Sequence, residues 1–193
     1  MSEPMFRTDP YARELAVEVV AHTPEGGLVL SETIFYPTGG GQPGDSGEVH
    51  WDGQSVRIAT TMKGHDGEVV LVPAEPVALP EPGTHVTQVL DWERRHRHMR
   101  VHTALHLLSV VIPLPVTGGS IGAEKGRLDF DMPEAATDKA VLEEQLNELI
   151  ECDLTVTEDW ITDDELAANP GLVKTMSVQP PMGAGRVRLI RIG

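Results

Sequence analysis

The sequence predicts an α+β protein: a small N-terminal β-barrel over residues 1–90, then an α+β domain over residues 91–193 with a central helix against an antiparallel sheet. Three observations carry this. Short apolar runs fill the first half and are divided by Gly, Pro and Asp, as in small barrels and curled sheets. The stretch "DWERRHRHMRVHTALHLLSVVI" holds neither Gly nor Pro until Pro113 stops it. After it, helical and strand patterns alternate.

In chain order, "LAVEVVAH" (15–22) and "GLVLSETI" (27–34) flank "TPEGG", a hairpin signal. "EVHW" (48–51) and "SVRIATT" (55–61) flank "DGQ", and "GEVVLV" (67–72) and "THVTQVL" (84–90) complete the strands. "PAEPVALPEPG" (73–83) holds four prolines and reads as an extended connector. Asp91 is the expected N-cap of the long helix. Its first half is charged and its second nearly all apolar, so the helix is expected to start at the surface and run into a core.

"LPVTGGSIGAEKG" then reads as loop and "RLDFD" (127–131) as strand. "TDKAVLEEQLNELI" (137–150) puts Val141, Leu142, Leu146, Leu149 and Ile150 on one stripe of a helix. "TVT" (155–157) reads as a short strand. Thr162 and Glu165 stand at capping-box spacing. "LVKTMSV" (172–178) and "GRVRLIRIG" (185–193) read as strands.

The single cysteine, Cys152, excludes an intrachain disulfide and suits a reducing cytoplasm; beside an amphipathic helix it is expected to be a small buried thiol. No run is long enough to span a membrane, and "MSEPMFRTDPYARE" has no apolar leader core, so a soluble intracellular protein is expected. The formal charge of −15 opposes nucleic-acid binding by the molecule as a whole. Yet Arg94, Arg95, Arg97 and Arg100, with Arg186, Arg188 and Arg191, gather seven of the fifteen basic residues into two short segments. These form either a basic face on an acidic body or, more plainly, a solvated helix start and a charged strand face. His96 and His98 alternate with the first group and are expected to be surface residues, or phosphate contacts, rather than metal ligands. The acid run "CDLTVTEDWITDDEL" reads as a solvated face.

Two features are candidates for chemistry. His102 and His106 stand four apart on the helix, on one face, and can share one metal ion. The other reading is a pair of core histidines bonded to protein groups. The zincin pattern H-E-x-x-H fails because Thr103 follows His102. The run "FYPTGGGQPGDSGEV" (35–49) is neither a P-loop, which needs a lysine after its last glycine, nor a dinucleotide fingerprint, which needs a helix after it. Gly39, Gly40 and Gly41 form either a tight turn or a backbone segment that meets a ligand closely, with Thr38 and Gln42 as its polar atoms. Gly118 and Gly119 in "VTGGSIG" raise the same choice.

Together, "FYPTGGGQPGDSG", "RRHRHMRVHTALHLL", "VTGGSIGAEKGRLDF" and "GRVRLIRIG", in this order, resemble the AlaX-type alanyl-tRNA editing proteins, relatives of the editing domain of alanyl-tRNA synthetase and of the second domain of threonyl-tRNA synthetase. The resemblance implies a β-barrel followed by an α+β editing domain. It implies hydrolysis of the ester joining serine, or glycine, to alanine tRNA in the cytoplasm. It implies one zinc ion with His102 and His106 among its ligands, and a site in which Thr38 and Gln42 serve catalysis. Gly39, Gly40, Gly41, Gly118 and Gly119 would then face the substrate, and Arg94, Arg95, Arg97 and Arg100 would contact tRNA. The family continues past this point into C-G-G-T-H, so the resemblance implies either a chain truncated at Gly193, with a cysteine and a histidine ligand expected beyond it, or a different arrangement of ligands. The alternative is a non-catalytic tRNA- or protein-binding module without a complete metal site.

Overall fold

The computed structural model describes residues 4–133, 138–173 and 185–193. Within the expected strand 172–178, residues 174–178 lie outside the described residues, and Leu172 ends a 3-10 turn, Pro170–Leu172. The chain forms two compact units, Met1–Arg100 with Ile121–Lys125 and Val101–Ser120 with Gly126–Gly193.

The first unit holds the expected barrel. Its strands are β1 (Glu14–His22), β2 (Leu28–Leu30), β3 (Gly47–Trp51), β4 (Gln54–Lys63), β5 (Val69–Pro73) and β6 (His85–Leu90). They close in the order β1-β2-β5-β4-β3-β6, every neighbouring pair antiparallel, which leaves no free sheet edge. Inward positions are aliphatic: Val19, Leu28, Val49, Ile58 and Leu71 are fully buried together with Phe35. Burying each such side chain stabilises by about 1.5–3 kcal/mol. A one-turn helix, α1 (Met5–Thr8), adds Phe6, whose ring meets Tyr36 edge-on at 5.7 Å.

The expected strand 27–34 is shorter in the structure because a side chain replaces its ladder. Gln88 of β6 accepts from the Thr33 hydroxyl at 2.7 Å and the Ile34 N–H at 3.2 Å, and its amide donates to the Glu32 carbonyl at 3.0 Å. Gln88 is fully buried, and these bonds offset its desolvation.

The long helix, α2 (Trp92–Val111), starts where expected, with the Asp91 carboxylate accepting from the Arg94 N–H at 3.2 Å. Its burial departs from expectation. Arg95 and His98, in the charged half, are 3% and 2% exposed, whereas Val110 near the apolar end is 58% exposed. For Arg95 the cause is Asp45, fifty residues earlier and itself 1% exposed. Its Oδ2 accepts from Arg95 Nε at 2.7 Å and from Arg95 Nη2, while Nη2 also donates to the Ile34 carbonyl at 2.6 Å.

After α2 come β7 (Val116–Ile121), β8 (Gly126–Phe130), α3 (Lys139–Glu151), β9 (Val156–Thr162), α4 (Asp163–Ala168) and β10 (Arg186–Ile192). The segment holding Gly118 and Gly119 is thus a strand, not a loop: β7 pairs with β8, and a Cβ on Gly119 would stand 2.8 Å from the Arg127 carbonyl. Cys152 is exposed at the C-cap of α3, because no residue of that helix is buried among the described residues. β9 is longer than expected and pairs with β10 from Val156↔Ile192 to Thr162↔Arg186. Its acids face solvent and meet the basic strand, Glu158 accepting from Arg188 Nε at 2.7 Å and Asp159 from Arg191 Nη2 at 3.0 Å. Thr162 and Glu165 form the expected capping box.

Asp45→Ala strands the Arg95 guanidinium in the interior and is expected to lower unfolding free energy by about 3–5 kcal/mol, read from urea denaturation. Glu165 is held below the ordinary carboxylate value, chiefly by the Thr162 N–H and then by the Thr162 hydroxyl. A depressed folded value means that this cap contributes fully above the ordinary value of 4.5 and is lost as pH falls through the lower, folded one. Protection of α4 amides is therefore expected to drop in acid in the wild type and to be pH-independent in Glu165→Gln, whose amide still caps.

Candidate functional site

The glycine run is a two-residue hairpin turn. Gly39 and Gln42 exchange both backbone hydrogen bonds at 3.0 Å, and Gly40 and Gly41 between them have φ of +58° and +78°. Positive φ at both central positions defines a type I′ turn, which glycine enters without steric cost. The Gly41 carbonyl accepts from the Ile121 N–H at 3.0 Å. Turn and site are therefore compatible: the tip consists of bare backbone, and the Lys63 ammonium lies beside it, 3.6 Å from where a Gly39 Cβ would stand.

Several bonds fix the base of the turn. The Thr38 hydroxyl accepts from the Gly44 N–H at 2.9 Å and donates to the Thr61 carbonyl at 3.2 Å. Its only proton is thereby engaged, and one lone pair remains, so toward a ligand it acts as an acceptor. Gln42 is 4% exposed. Gly44 packs against β4 so closely that a Cβ would stand 2.0 Å from the Thr61 carbonyl oxygen. Asp45 closes the base: Oδ2 accepts from the Tyr36 N–H at 2.6 Å, and its own N–H donates to the Tyr36 carbonyl at 3.0 Å. The Tyr36 hydroxyl donates to the Gly39 carbonyl at 3.0 Å.

The four arginines of α2 divide into two kinds. Arg94 donates to the Gly44 carbonyl at 2.8 Å and the Ser46 hydroxyl at 3.4 Å, and Arg95 is sealed against Asp45. Arg97 and Arg100 are exposed. His98, expected at the surface, is instead buried, and its Nδ1 has no hydrogen-bond partner among the described residues. Burial first, and the Arg94 charge second, lower its pKa.

His102 and His106 lie on one face of α2 with their rings stacked, centroids 5.0 Å apart and planes 16° from parallel. Burial, then the neighbouring His106, push His102 down to about 4. A neutral imidazole is the form a metal ion binds. The pair therefore fits two positions of a ligand set; among the described residues no group of three or more His, Cys, Asp or Glu stands together to hold an ion. Gly118 and Gly119 sit in the β7 ladder described above.

Asp45 and Lys63 escaped the sequence reading. Asp45 carried a weak signal, a lone acid between two glycine turns; Lys63, at the end of a strand, carried none.

Residues 10–94 match the family model described as tRNA synthetases class II (A). The chain is 30% identical to the alanyl-tRNA editing protein AlaX-M of Saccharolobus solfataricus over 187 residues, 94% of this chain and 78% of that protein. It is 34% identical to AlaX-M of Methanosarcina acetivorans over 148 residues, 72% of this chain and 60% of that protein. It is 35% identical to the alanine–tRNA ligase of Aeropyrum pernix over 169 residues, 83% of this chain and 18% of the ligase. The chain thus spans about three-fifths of the length of the Methanosarcina acetivorans relative.

The bonds of Thr38 make a stability test. Thr38→Val leaves the Gly44 N–H without its acceptor and is expected to cost about 1–2 kcal/mol, whereas Thr38→Ser keeps both bonds and stays within about 0.5 kcal/mol of the wild type in denaturation experiments.

Proposed function

The chain belongs to the family of alanyl-tRNA editing proteins, and we propose that it hydrolyses the ester that joins a wrong amino acid, chiefly serine, to alanine tRNA. The observation that carries this reading is the His102–His106 pair: two stacked imidazoles on one helix face, one of them held neutral far below the ordinary histidine value. Such a pair suits a metal ion better than proton transfer near neutral pH, because an imidazole lowered to about 4 is a weak base there yet keeps a ring nitrogen free of the second proton.

On this reading His102 and His106 would hold one zinc ion, filling two of its coordination positions. Zinc, when bound, supplies Lewis-acid polarisation of the ester and a lowered pKa for water. The chain's own groups bind and orient. The type I′ turn offers the Gly40–Gly41 backbone to the aminoacyl end without side chains in the way. Gln42 is held at the foot of that turn to orient the ester. The Lys63 ammonium beside the turn suits a phosphate of the tRNA end.

Thr38 supports serine as the substrate. Its proton is engaged with Thr61, so it accepts a hydrogen bond from a partner that can donate one. A seryl hydroxyl donates; the methyl of alanine does not. Sites built around such a bond reject the analogue that lacks it, and this is the discrimination that a synthetase pocket sized for alanine cannot supply.

His102→Ala and His106→Ala are each expected to lower bound zinc well below one per chain and to reduce hydrolysis of serine-charged alanine tRNA at least about a hundredfold, as loss of a metal-supplied activation implies. Gln42→Ala is expected to slow the reaction with zinc content unchanged. Metal analysis paired with a deacylation assay reads both. Zinc-free wild-type protein that is inert toward the ester would instead assign the chain to a non-catalytic binding module.

A further inference from the structure

The barrel unit carries a second assembly of functional side chains, away in kind from both the glycine turn and the histidine pair. Tyr11 is 60% exposed. Its ring stands 5.3 Å from Trp92 and 6.4 Å from His96. Trp92 and His96 stack on each other at 5.2 Å with planes 13° apart, and the Arg13 guanidinium lies over the Trp92 ring at 4.6 Å. Trp92, His96 and Arg100 follow at intervals of four along α2 and so share a face, with Arg97 on the next row. Arg13, Arg97 and Arg100 are exposed, and their guanidinium groups make no hydrogen bond or ion pair among the described residues.

Folding accounts for only part of this. Trp92 packs on the barrel core, which explains its place. It does not explain an open tyrosine ring at the end of a ring stack. Nor does it explain three cations without carboxylate partners in a chain where acids outnumber bases thirty to fifteen. By contrast, Arg188 and Arg191 on β10 are both paired to acids.

We propose that Tyr11, Trp92 and His96, with Arg13, Arg97 and Arg100 around them, bind unpaired nucleotides of an RNA chain. The inference rests on the reading of this protein as one that acts on tRNA and assigns it a contact surface. Bases stack on aromatic rings and on guanidinium planes, and the phosphates between them pair with arginine. Tyr11 offers the open ring, and the row of arginines follows the backbone. An acidic peptide would use the cations but leave the rings without flat partners. An apolar partner would leave the cations buried and unpaired.

The test compares affinity for uncharged alanine tRNA, and KM and kcat for hydrolysis of the serine-charged form, across exposed-residue variants. Tyr11→Ala is expected to raise Kd and KM at least about fivefold, the lower end of a base–aromatic stack, with kcat unchanged, and Tyr11→Phe to stay within about twofold because the ring remains. Arg97→Gln with Arg100→Gln is expected to lower the slope of log affinity against log salt by roughly 1.4, about 0.7 for each phosphate of a single strand. Arg57→Gln removes a charge from an exposed arginine elsewhere on the barrel and is expected to behave as wild type. Wild-type affinity and salt slope in both the Tyr11→Ala and the double arginine variants, in protein that still hydrolyses the charged tRNA, would overturn this surface and leave the hydrolase reading intact. Wild-type protein that binds tRNA through these residues but hydrolyses nothing would support the surface and overturn the hydrolase. Loss of self-association in Tyr11→Ala with tRNA affinity intact would assign the rings to a second copy of the chain and overturn the proposal.

Discussion

Two buried charges, Asp45 and Arg95, fix the glycine turn to the start of the long helix. Taking both out of water is expensive, and such a pair persists only where further hydrogen bonds satisfy it. Here the Asp45 Oδ2 also takes the Tyr36 N–H, and Arg95 also donates to the carbonyls of Ile34 and Pro10. These bonds hold segments from four places in the sequence in one arrangement. An apolar contact of equal area would let them slide; directional bonds do not. The same arrangement sets Thr38 against Thr61 and closes Gly44 onto β4, so the foot of the turn cannot shift without breaking several bonds at once. A site that orients a reactive ester needs that kind of fixed support.

The sequence made local chemistry legible and left distant pairing hidden. Alternating aliphatics marked five of the six barrel strands nearly in full, Asp91 marked the start of α2, and Thr162 with Glu165 marked the cap of α4. Each of these signals lies within a few residues of what it specifies. Arg95 misled because a charged helix start looks solvated when its partner, Asp45, stands fifty residues away. The strand ending at Leu30 was overread because nothing near Thr33 announces that Gln88 takes over its backbone bonds. Gly118 and Gly119 suggested a loop, yet small residues also suit a strand whose neighbour approaches closely. Cys152 is exposed because α3 buries none of its apolar stripe among the described residues.

For the site, the motifs showed the residue types and the structure added their states. The spacing of His102 and His106 implied a shared face; burial explains why the imidazole stays neutral. The run of three glycines implied a turn or a bare backbone, and the type I′ geometry makes it both. The direction of Thr38's hydrogen bonds could not be read from the sequence. That direction turns a generic hydroxyl into an acceptor, and the proposed choice of serine rests on it.

The central claim is that this chain removes serine from alanine tRNA and spares alanine. The most direct measurement is the single-turnover release of each amino acid from the same tRNA, at equal enzyme and salt. Serine is expected to leave much faster than alanine, with alanine near the rate seen without protein. Release of both at that background rate, or at equal enzyme-dependent rates, would contradict the account.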